Sequence, residues 1–385
     1  TTGATEVYVL GASDNNLTVT NMPETIVTTY LSPTATDASD TVTLNYVSGA
    51  DSAHTVKIGD TADTADVDTS DVTITNNKGA LTITSEGADG NLVDDIHANT
   101  ADALTISTAI ALSIDSANSG GGALNATSAL SFTATTAGGS LIVDGATDVS
   151  KATTIDLDAT NGLMTFTGAT TATKATSIDV NAKGYAFLQT GNLTSDADVA
   201  TLNLTSASKS GSIIFDGVLD VDHATAMNFT ATDGATVRVD DLELIGKDSA
   251  STAADVDTTL TLSATGTDVD GNGTTMTIGG INSASNTTAT LDTVTITSDA
   301  KATVSFTTGS SGLTITTIDA SASLGTNTFT TTSTAAAVDL TLGAAKKNTF
   351  TAENNLADKV TLAVAAGEDV IKVVDDTSAC DQITN

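Results

Sequence analysis

The chain has 385 residues, of which 47 are acidic and 13 are basic, so its formal net charge at pH 7 is −34. A surface this negative repels nucleic acid and anionic lipid, which argues against both as partners. No apolar run approaches the roughly 18 residues that a membrane-spanning helix needs, and the single cysteine, Cys380, excludes a disulfide framework within the chain.

The composition favours strands and turns. Only six of the acids are Glu, and Asp, with its short stem, is preferred at turns and as a metal ligand. Hydrophobic residues reach 39% of the chain, whereas aromatic residues are 3% and Trp is absent. Because Thr, Val and Ile suit strands, we expect a thin core of small and β-branched side chains.

Residues 1–50 differ from the rest of the chain. They hold both prolines, Pro23 and Pro33, and Tyr8 and Tyr30 lie close by. Proline has no N–H group to give to a β-ladder. The segment is therefore predicted to be a lead-in or a cap.

Residues 51–246 contain an internal repeat that predicts a first block of stacked coils. Each copy reads as a short alternating strand, a turn of small residues with Gly, and a second short strand. The anchoring apolar residues of four copies, spaced 23, 24 and 25 residues apart, are Ile155, Ile178, Leu202 and Met227. Extended backwards, the pattern places earlier anchors at Leu130, Leu104 and Leu81.

The repeat predicts an all-β fold. Alternation of apolar and polar residues turns one face of each strand inward and a Thr, Asp and Asn face outward. Coils of about 20–25 residues that cannot bury their apolar face alone are typical of a parallel β-solenoid, in the form of a β-helix or β-roll. A series of antiparallel sandwiches is the competing interpretation. The near-constant spacing favours the solenoid.

Residues 247–259, rich in Ser, Thr and Asp, are predicted to be a loop between two solenoid blocks. The second block, residues 260–385, repeats again, with apolar anchors at Ile318, Val338 and Val360. The three copies end alike, in GTNTFT, KKNTFT and GEDVIK.

The stretch GTDVDGNGTT, residues 266–275, has oxygen ligands at alternate positions, namely Asp268, Asp270 and Asn272, followed at once by a glycine. This is the opening half of a calcium loop. The bidentate Glu that would close such a loop is replaced by Gly279. We therefore predict a cation site in a loop that is not a helix-loop-helix hand.

Other acids recur in pairs. In a strand, residues i and i+2 share a face, so pairs on neighbouring coils could place several carboxylates around one ion. A solvated acidic face is the alternative for any single pair. The pairs that we consider candidate calcium ligands are Asp196 with Asp198, Asp220 with Asp222, Asp240 with Asp241, and Asp255 with Asp257.

The repeated endings resemble the second half of the calcium-binding nonapeptide G-G-x-G-x-D-x-U-x, in which U is a large apolar residue. GEDVIK matches it with Asp369, while the other two copies have Asn327 and Asn348 at that position. With its composition, the chain resembles the RTX-like surface-layer proteins of Gram-negative bacteria. The resemblance implies a secreted, calcium-binding β-solenoid that self-assembles into a lattice on the cell surface, where lipopolysaccharide is a possible glycolipid partner.

Residues suited to catalysis are few. The three histidines are scattered, Arg238 is the only arginine, and sugar subsites usually offer the aromatic platforms that this chain lacks. We therefore expect a structural protein and not an enzyme. A solenoid spacer or ligand-binding segment of a large RTX-type adhesin is the alternative, and a polysaccharide-active β-helix enzyme ranks third.

Overall fold

The chain is all-β, as predicted. In the computed structural model the described residues form no helix, and parallel strands stack as a β-solenoid of about 13 turns. The described residues are 3–10, 16–32, 41–59, 67–88, 90–115, 122–196, 199–222, 224–245, 258–283, 289–309, 313–332, 337–352, 356–363, 367–373 and 382–384.

These residues contain 35 strands. The first seventeen are β1 (Glu6–Leu10), β2 (Leu17–Met22), β3 (Thr28–Ser32), β4 (Thr41–Ala50), β5 (His54–Ile58), β6 (Asp68–Asn77), β7 (Ala80–Ser85), β8 (Asn91–His97), β9 (Ala103–Thr108), β10 (Leu112–Ile114), β11 (Leu124–Asn125), β12 (Ser131–Thr136), β13 (Leu141–Val143), β14 (Thr147–Asp148), β15 (Thr154–Ala159), β16 (Met164–Phe166) and β17 (Thr170–Thr171). The others are β18 (Ser177–Ala182), β19 (Ala186–Gln189), β20 (Leu193–Ser195), β21 (Thr201–Ala207), β22 (Ser212–Asp222), β23 (Ala226–Thr232), β24 (Thr236–Ile245), β25 (Thr259–Thr265), β26 (Thr275–Ser283), β27 (Ala289–Ser298), β28 (Thr303–Thr308), β29 (Leu313–Ala320), β30 (Thr326–Thr331), β31 (Asp339–Leu342), β32 (Lys347–Ala352), β33 (Lys359–Thr361), β34 (Glu368–Val373) and β35 (Gln382–Thr384).

The chain divides into two compact units, and the first comprises Thr1–Ala175 with Gly184–Thr194. One parallel sheet of this unit runs β1-β3-β5-β7-β9-β12-β15. A second runs β2-β4-β6-β8 and then forks, because β8 pairs with β10 through its first residues and with β11 through its last. The fork continues along β13, β16 and β19 on one branch and β14, β17 and β20 on the other. After the fork each coil therefore has three short strands.

The second unit comprises Thr176–Lys183 and Ser195–Asn385. Its strands also form two parallel sheets. The first runs β18-β21-β23-β25-β27-β29-β31-β33-β35, and the second runs β22-β24-β26-β28-β30-β32-β34.

The interior is filled by the inward residues of the strands. Burial alternates along almost every strand, as in β9 and β12, where every second residue is buried. All eight phenylalanines of the chain are buried beside Val, Ile, Leu and Ala and lie inside the thin core. The polar residues between them face outward, as the alternation predicts.

The register confirms most of the predicted anchors. Ile178 pairs with Leu202, and Leu202 with Met227. The anchor predicted at Leu130 is wrong: the partner of Ile155 is Phe132, and Leu130 lies before the strand with 54% of its surface exposed.

The same slip of two residues occurs in the second unit. Ile318 pairs with Leu340 and Leu340 with Val360, so the predicted anchor Val338 is buried but stands two residues before the true one. A slip of two keeps a residue on the same face of a strand. Alternation alone therefore cannot distinguish the two positions.

Two coils are longer than predicted. Met227 pairs with Leu260, and Leu260 with Val294, at separations of 33 and 34 residues. The first interval contains residues 246–257, which lie outside the described part of the chain and make up most of the predicted loop 247–259. The predicted role of residues 1–50 as a cap stays a prediction, although their strands already pair in parallel with those that follow, β3 with β5 and β4 with β6.

Candidate functional sites: a loop, a ladder and an acidic face

The loop at residues 266–274 joins β25 to β26 in the second unit. An antiparallel bridge between Thr267 and Gly273 closes its base. The N–H of Gly271 donates to the carbonyl of Asp268 at 2.9 Å, which makes a tight turn at the tip. Gly271 has φ +79°, a left-handed conformation that favours glycine. The turn leaves the side chain of Val269 fully exposed.

The carboxylate of Asp268 organises this loop. One oxygen accepts the backbone N–H groups of Asp270 at 2.9 Å and Asn272 at 2.7 Å. The other accepts Nδ2 of Asn272 at 2.9 Å and lies 3.0 Å from Nζ of Lys209. The hydrogen bond from the Asn272 side chain, followed by its N–H and by Lys209, holds the pKa of Asp268 well below its usual range. Asp268 therefore remains a carboxylate at any physiological pH.

A lysine ammonium group lies where the sequence predicted a metal cation. Lys209, from the turn between β21 and β22, also lies 2.5 Å from the carboxylate of Asp270, and Nζ of Lys301 donates to the carbonyl of Gly271 at 3.1 Å. The three predicted ligands do come together, but protein donors already occupy Asp268. A calcium ion bound here would have to displace Lys209, so the predicted calcium role of the loop stays a prediction.

A glycine in the preceding coil leaves room for this loop. Gly234, in the turn between β23 and β24, has φ +83°, and its N–H donates to Oγ1 of Thr274 at 3.0 Å. A Cβ atom at Gly234 would lie 2.7 Å from the Cβ of Asp268. Glycine is therefore required there by both conformation and space.

Asp369 lies at the end of a buried ladder of amides. Asn327 donates Nδ2 to Oδ1 of Asn348 at 2.8 Å, and Asn348 donates Nδ2 to Oδ1 of Asp369 at 2.9 Å. Both asparagines are fully buried, and Ser323 donates to Asn327 at 2.9 Å. The repeated endings that resemble half of a calcium nonapeptide thus place their Asn and Asp inward, where they hydrogen-bond to one another.

An acidic strand face lies on the second sheet of the second unit. Asp220 of β22, Glu243 of β24 and Asn282 of β26 are register partners on successive strands. Asn282 donates Nδ2 to the carboxylate of Asp241. Burial, and then repulsion from Asp241, raises the pKa of Glu243. We call Asp220, Asp241, Glu243 and Asn282 the acidic strand face.

The two neighbouring acids of β24 have different environments. Asp240 is exposed and lies 2.9 Å from Nε of Arg238, which also contacts the carboxylate of Asp216. Asp241 is half-buried and belongs to the acidic strand face. The only arginine therefore neutralises one acid of the predicted pair and leaves the other.

The remaining predicted ligands lie mostly outside what the structure describes. Asp196 is exposed after β20, and Asp222 ends β22 with its side chain outside the described atoms. Asp198, Asp255 and Asp257 lie outside the described residues. Their calcium roles stay predictions.

Sequence reasoning missed a carboxyl pair in the first unit. Asp71 of β6 and Asp95 of β8 are register partners on the second sheet. Burial, and then repulsion from Asp95, raises the pKa of Asp71. His97 lies nearby, with its Nδ1 3.1 Å from Nδ2 of Asn125. In the sequence, the one sign of this pair is that the two acids stand one coil length apart.

Within the described ranges, no three His, Cys, Asp or Glu side chains are grouped so that they could hold a metal ion by themselves. Nor does the described part of the chain include a helix long and apolar enough to cross a membrane. Comparison of the chain with models of protein families, with curated proteins and with solved structures found no match. The resemblance to RTX-like surface-layer proteins is therefore confirmed for the β-solenoid fold alone.

Proposed function

We propose that the chain is a structural protein of an extracellular bacterial surface layer and that calcium between acidic faces drives its self-assembly. The observation that best supports this is the arrangement of the solenoid, with a closed apolar interior and carboxylates repeated outward on successive coils. A β-solenoid of this kind is compatible with structural and repeat-type proteins. The secreted location and the lattice rest on the resemblance described above.

Calcium follows from the electrostatics of stacked acids. Neighbouring strands lie about 4.7–4.9 Å apart, so carboxylates in register repel one another strongly when they are half-buried. The acidic strand face has such carboxylates in Asp220 and Glu243, with Asp241 beside them. Oxygen donors of this type are the ligands that Ca²⁺ prefers. Calcium bound there would offset the repulsion.

Incomplete calcium coordination at the acidic strand face suggests how a second chain takes part in assembly. Calcium takes six to eight oxygen ligands, and within the described residues no three acids are grouped so that they could hold a metal ion by themselves. Water or carboxylates of a second copy would complete the coordination, and in the second case the ion would bridge two chains. We propose this bridge as the basis of the lattice, with a glycolipid such as lipopolysaccharide as the anchor.

The direct test is negative-stain microscopy of the purified chain in calcium and again after addition of EGTA. We expect ordered sheets in calcium that dissolve on chelation. Assembly that persists unchanged in EGTA would refute the calcium mechanism. Particles that remain monomeric in both conditions would favour the spacer of a large adhesin, in which binding lies elsewhere.

A pair of variants locates the calcium. The variant Asp241→Asn removes one charge from the acidic strand face and should raise the calcium concentration needed for assembly. Asp319→Asn is the matched control, because Asp319 lies on the other sheet and hydrogen-bonds only locally, to the N–H of Ser321 at 2.9 Å. Equal effects of Asp241→Asn and the control, which remove one charge each, would show that only total charge matters.

A further inference from the structure

One outward face of the second unit carries hydroxyl groups and no acid on its central strands, and its charged neighbours in register are Arg238 beside Thr277 and Lys347 beside Thr326. It lies on the second sheet, on β28 and β30, and continues onto β26 through Thr275 and Thr277 and onto β32 through Thr349 and Thr351. We call it the threonine face. Its central residues are Thr303, Ser305, Thr307, Thr326, Thr328 and Thr330.

The threonine face is regular in two directions. The strands pair without a slip, so Ser305 lies beside Thr328 and Thr328 beside Thr349. Hydroxyl groups therefore repeat at about 4.7–4.9 Å across the strands, and at twice the rise of about 3.3 Å along them. Such a face matches a partner that repeats at the same distances.

A buried column of phenylalanines beneath the threonine face keeps its strands at a constant spacing. Phe306, Phe329 and Phe350 are register partners and are buried. The rings of Phe306 and Phe329 stack with their centroids 5.0 Å apart. Identical side chains on successive strands hold the strands at one spacing, so the outward residues stand in straight columns.

The hydroxyl groups of this face are available. Ser305 donates to Oγ1 of Thr277 at 3.3 Å. The hydroxyls of Thr328, Thr330 and Thr349 make no hydrogen bond to another residue of the described part of the chain. They can therefore bond to a partner without breaking a bond within the protein.

We propose that the threonine face docks on the threonine face of a second copy of this chain. The inference rests on the self-assembly proposed above and names one of its contacts. A net charge of −34 opposes contact between copies wherever acids face each other, and this face has none to oppose it. Two such faces share the same strand spacing, so their columns interdigitate as in stacked sheets, with hydroxyls bonding across.

A second hydroxyl face, on the first sheet of the first unit, is smaller. It spans β7, β9 and β12, with Thr105 at its centre. The ion pair of Lys57 with Glu86 lies on one side of it, and Asp156 and Asp158 on the other. Because acids stand in register beside it and it is smaller, it is the weaker candidate and a useful comparison.

Disulfide crosslinking tests the contact without requiring a lattice. Cys380 is the only cysteine, so Cys380→Ser gives a clean background. Thr328 stands in the middle column of the face, near the twofold axis that a symmetric face-to-face contact would have. Under oxidation at high protein concentration, Thr328→Cys should form dimers several times faster than Thr341→Cys, an outward position beside Asp319 on the other sheet. Equal rates would overturn the proposal.

A second pair of variants separates this contact from the proposed function. Thr328→Asp should abolish sheets in calcium while leaving a folded chain by circular dichroism, whereas Thr341→Asp should assemble like the wild type. Sheets formed equally well by Thr328→Asp would overturn the docking face and leave the surface-layer function standing. A wild type that forms no sheets in calcium would count against that function, and crosslinking would still decide the face.

Two further outcomes would assign the contact elsewhere. Loss of sheets only in Thr105→Asp would place the contact on the first unit and overturn our proposal. The wild type, but not Thr328→Asp, could also be retained on ice or crystalline cellulose while Thr328→Cys forms no crosslinked dimer. That result would identify a periodic solid as the partner instead of a second copy.

Discussion

At the residue scale, buried polar groups determine where the solenoid is sensitive to its surroundings. His54 is almost fully buried, its Nδ1 contacts the carbonyl of Ile26 at 2.7 Å, and its ring packs on Tyr46 with centroids 4.1 Å apart. No described residue hydrogen-bonds to its Nε2. A second proton on this ring would have no acceptor within the described part of the chain.

We therefore predict an acid-sensitive stability. Burial lowers the pKa of His54 below its ordinary 6.5, so the unfolded chain binds this proton more readily than the folded one. The stabilisation is complete above the ordinary pKa and is lost as pH falls below it. Urea unfolding between pH 7 and 5 should show a shallower pH dependence in His54→Gln, by up to about 1.4 kcal/mol per pH unit. Parallel pH profiles of the two proteins would contradict the prediction.

Asp369 allows a second test at the residue scale. As a member of the ladder it needs only an oxygen that accepts a hydrogen bond, whereas as a calcium ligand it would need its charge. Asp369→Asn keeps the oxygen that accepts from Asn348, so stability without calcium should change by less than about 0.5 kcal/mol. Asn348→Ala should cost about 1–3 kcal/mol, since it leaves the amide of Asn327 and the carboxylate of Asp369 without this buried partner. Urea unfolding in EGTA measures both. A large loss in Asp369→Asn would show that the ladder needs the charge.

The residues of the candidate loop show how far sequence reasoning reaches. The alternation of Asp268, Asp270 and Asn272 within five positions indicated that they lie together, and they do. Lys209 was not foreseen, because it stands 61 residues before Asp270 and meets it only through the stacking of coils. Spacing within a short stretch shows which acceptor groups lie together. The donor that binds them comes from a distant turn, and its position depends on how the coils stack.

At the element scale, parallel pairing in register turns repeated residues into columns. The inward columns carry the core, and the clearest is that of Phe306, Phe329 and Phe350. Because the chain has few large side chains, each of them fills much of its own coil. Stability should therefore depend unevenly on the apolar residues.

This unevenness is testable with two substitutions. Phe329→Ala removes a fully buried ring from a stacked column and should cost about 3–5 kcal/mol. Leu130→Ala changes an exposed side chain that the repeat alone had marked as an anchor, and should cost no more than about 0.5 kcal/mol. Urea unfolding of both variants decides the matter. Similar losses would mean that Leu130 and not Phe132 occupies the core.

Strands, their faces and the parallel stacking were predictable, because alternation and a near-constant spacing survive in the sequence. The register was predictable only to within two residues at Leu130 and Val338. Coils rich in Thr, Ser and Ala satisfy alternation equally well at either position. The choice is made by volume: Phe132 and Leu340 fill the interior of their coils.

At the scale of the whole molecule, assembly requires that a chain of net charge −34 associate with itself. Monovalent salt screens repulsion between exposed charges over about 8–10 Å. A bridging ion does more, because it coordinates carboxylates of both partners and supplies attraction. The two effects separate when calcium and sodium are compared at equal ionic strength.

Static light scattering under those matched conditions is the most direct measurement. If calcium bridges acidic faces, the scattering mass should rise steeply with calcium, stay at that of the single chain in sodium chloride of the same ionic strength, and return to it on addition of EGTA. The same mass in both salts would contradict calcium bridging, because calcium would then do no more than sodium does at the same ionic strength.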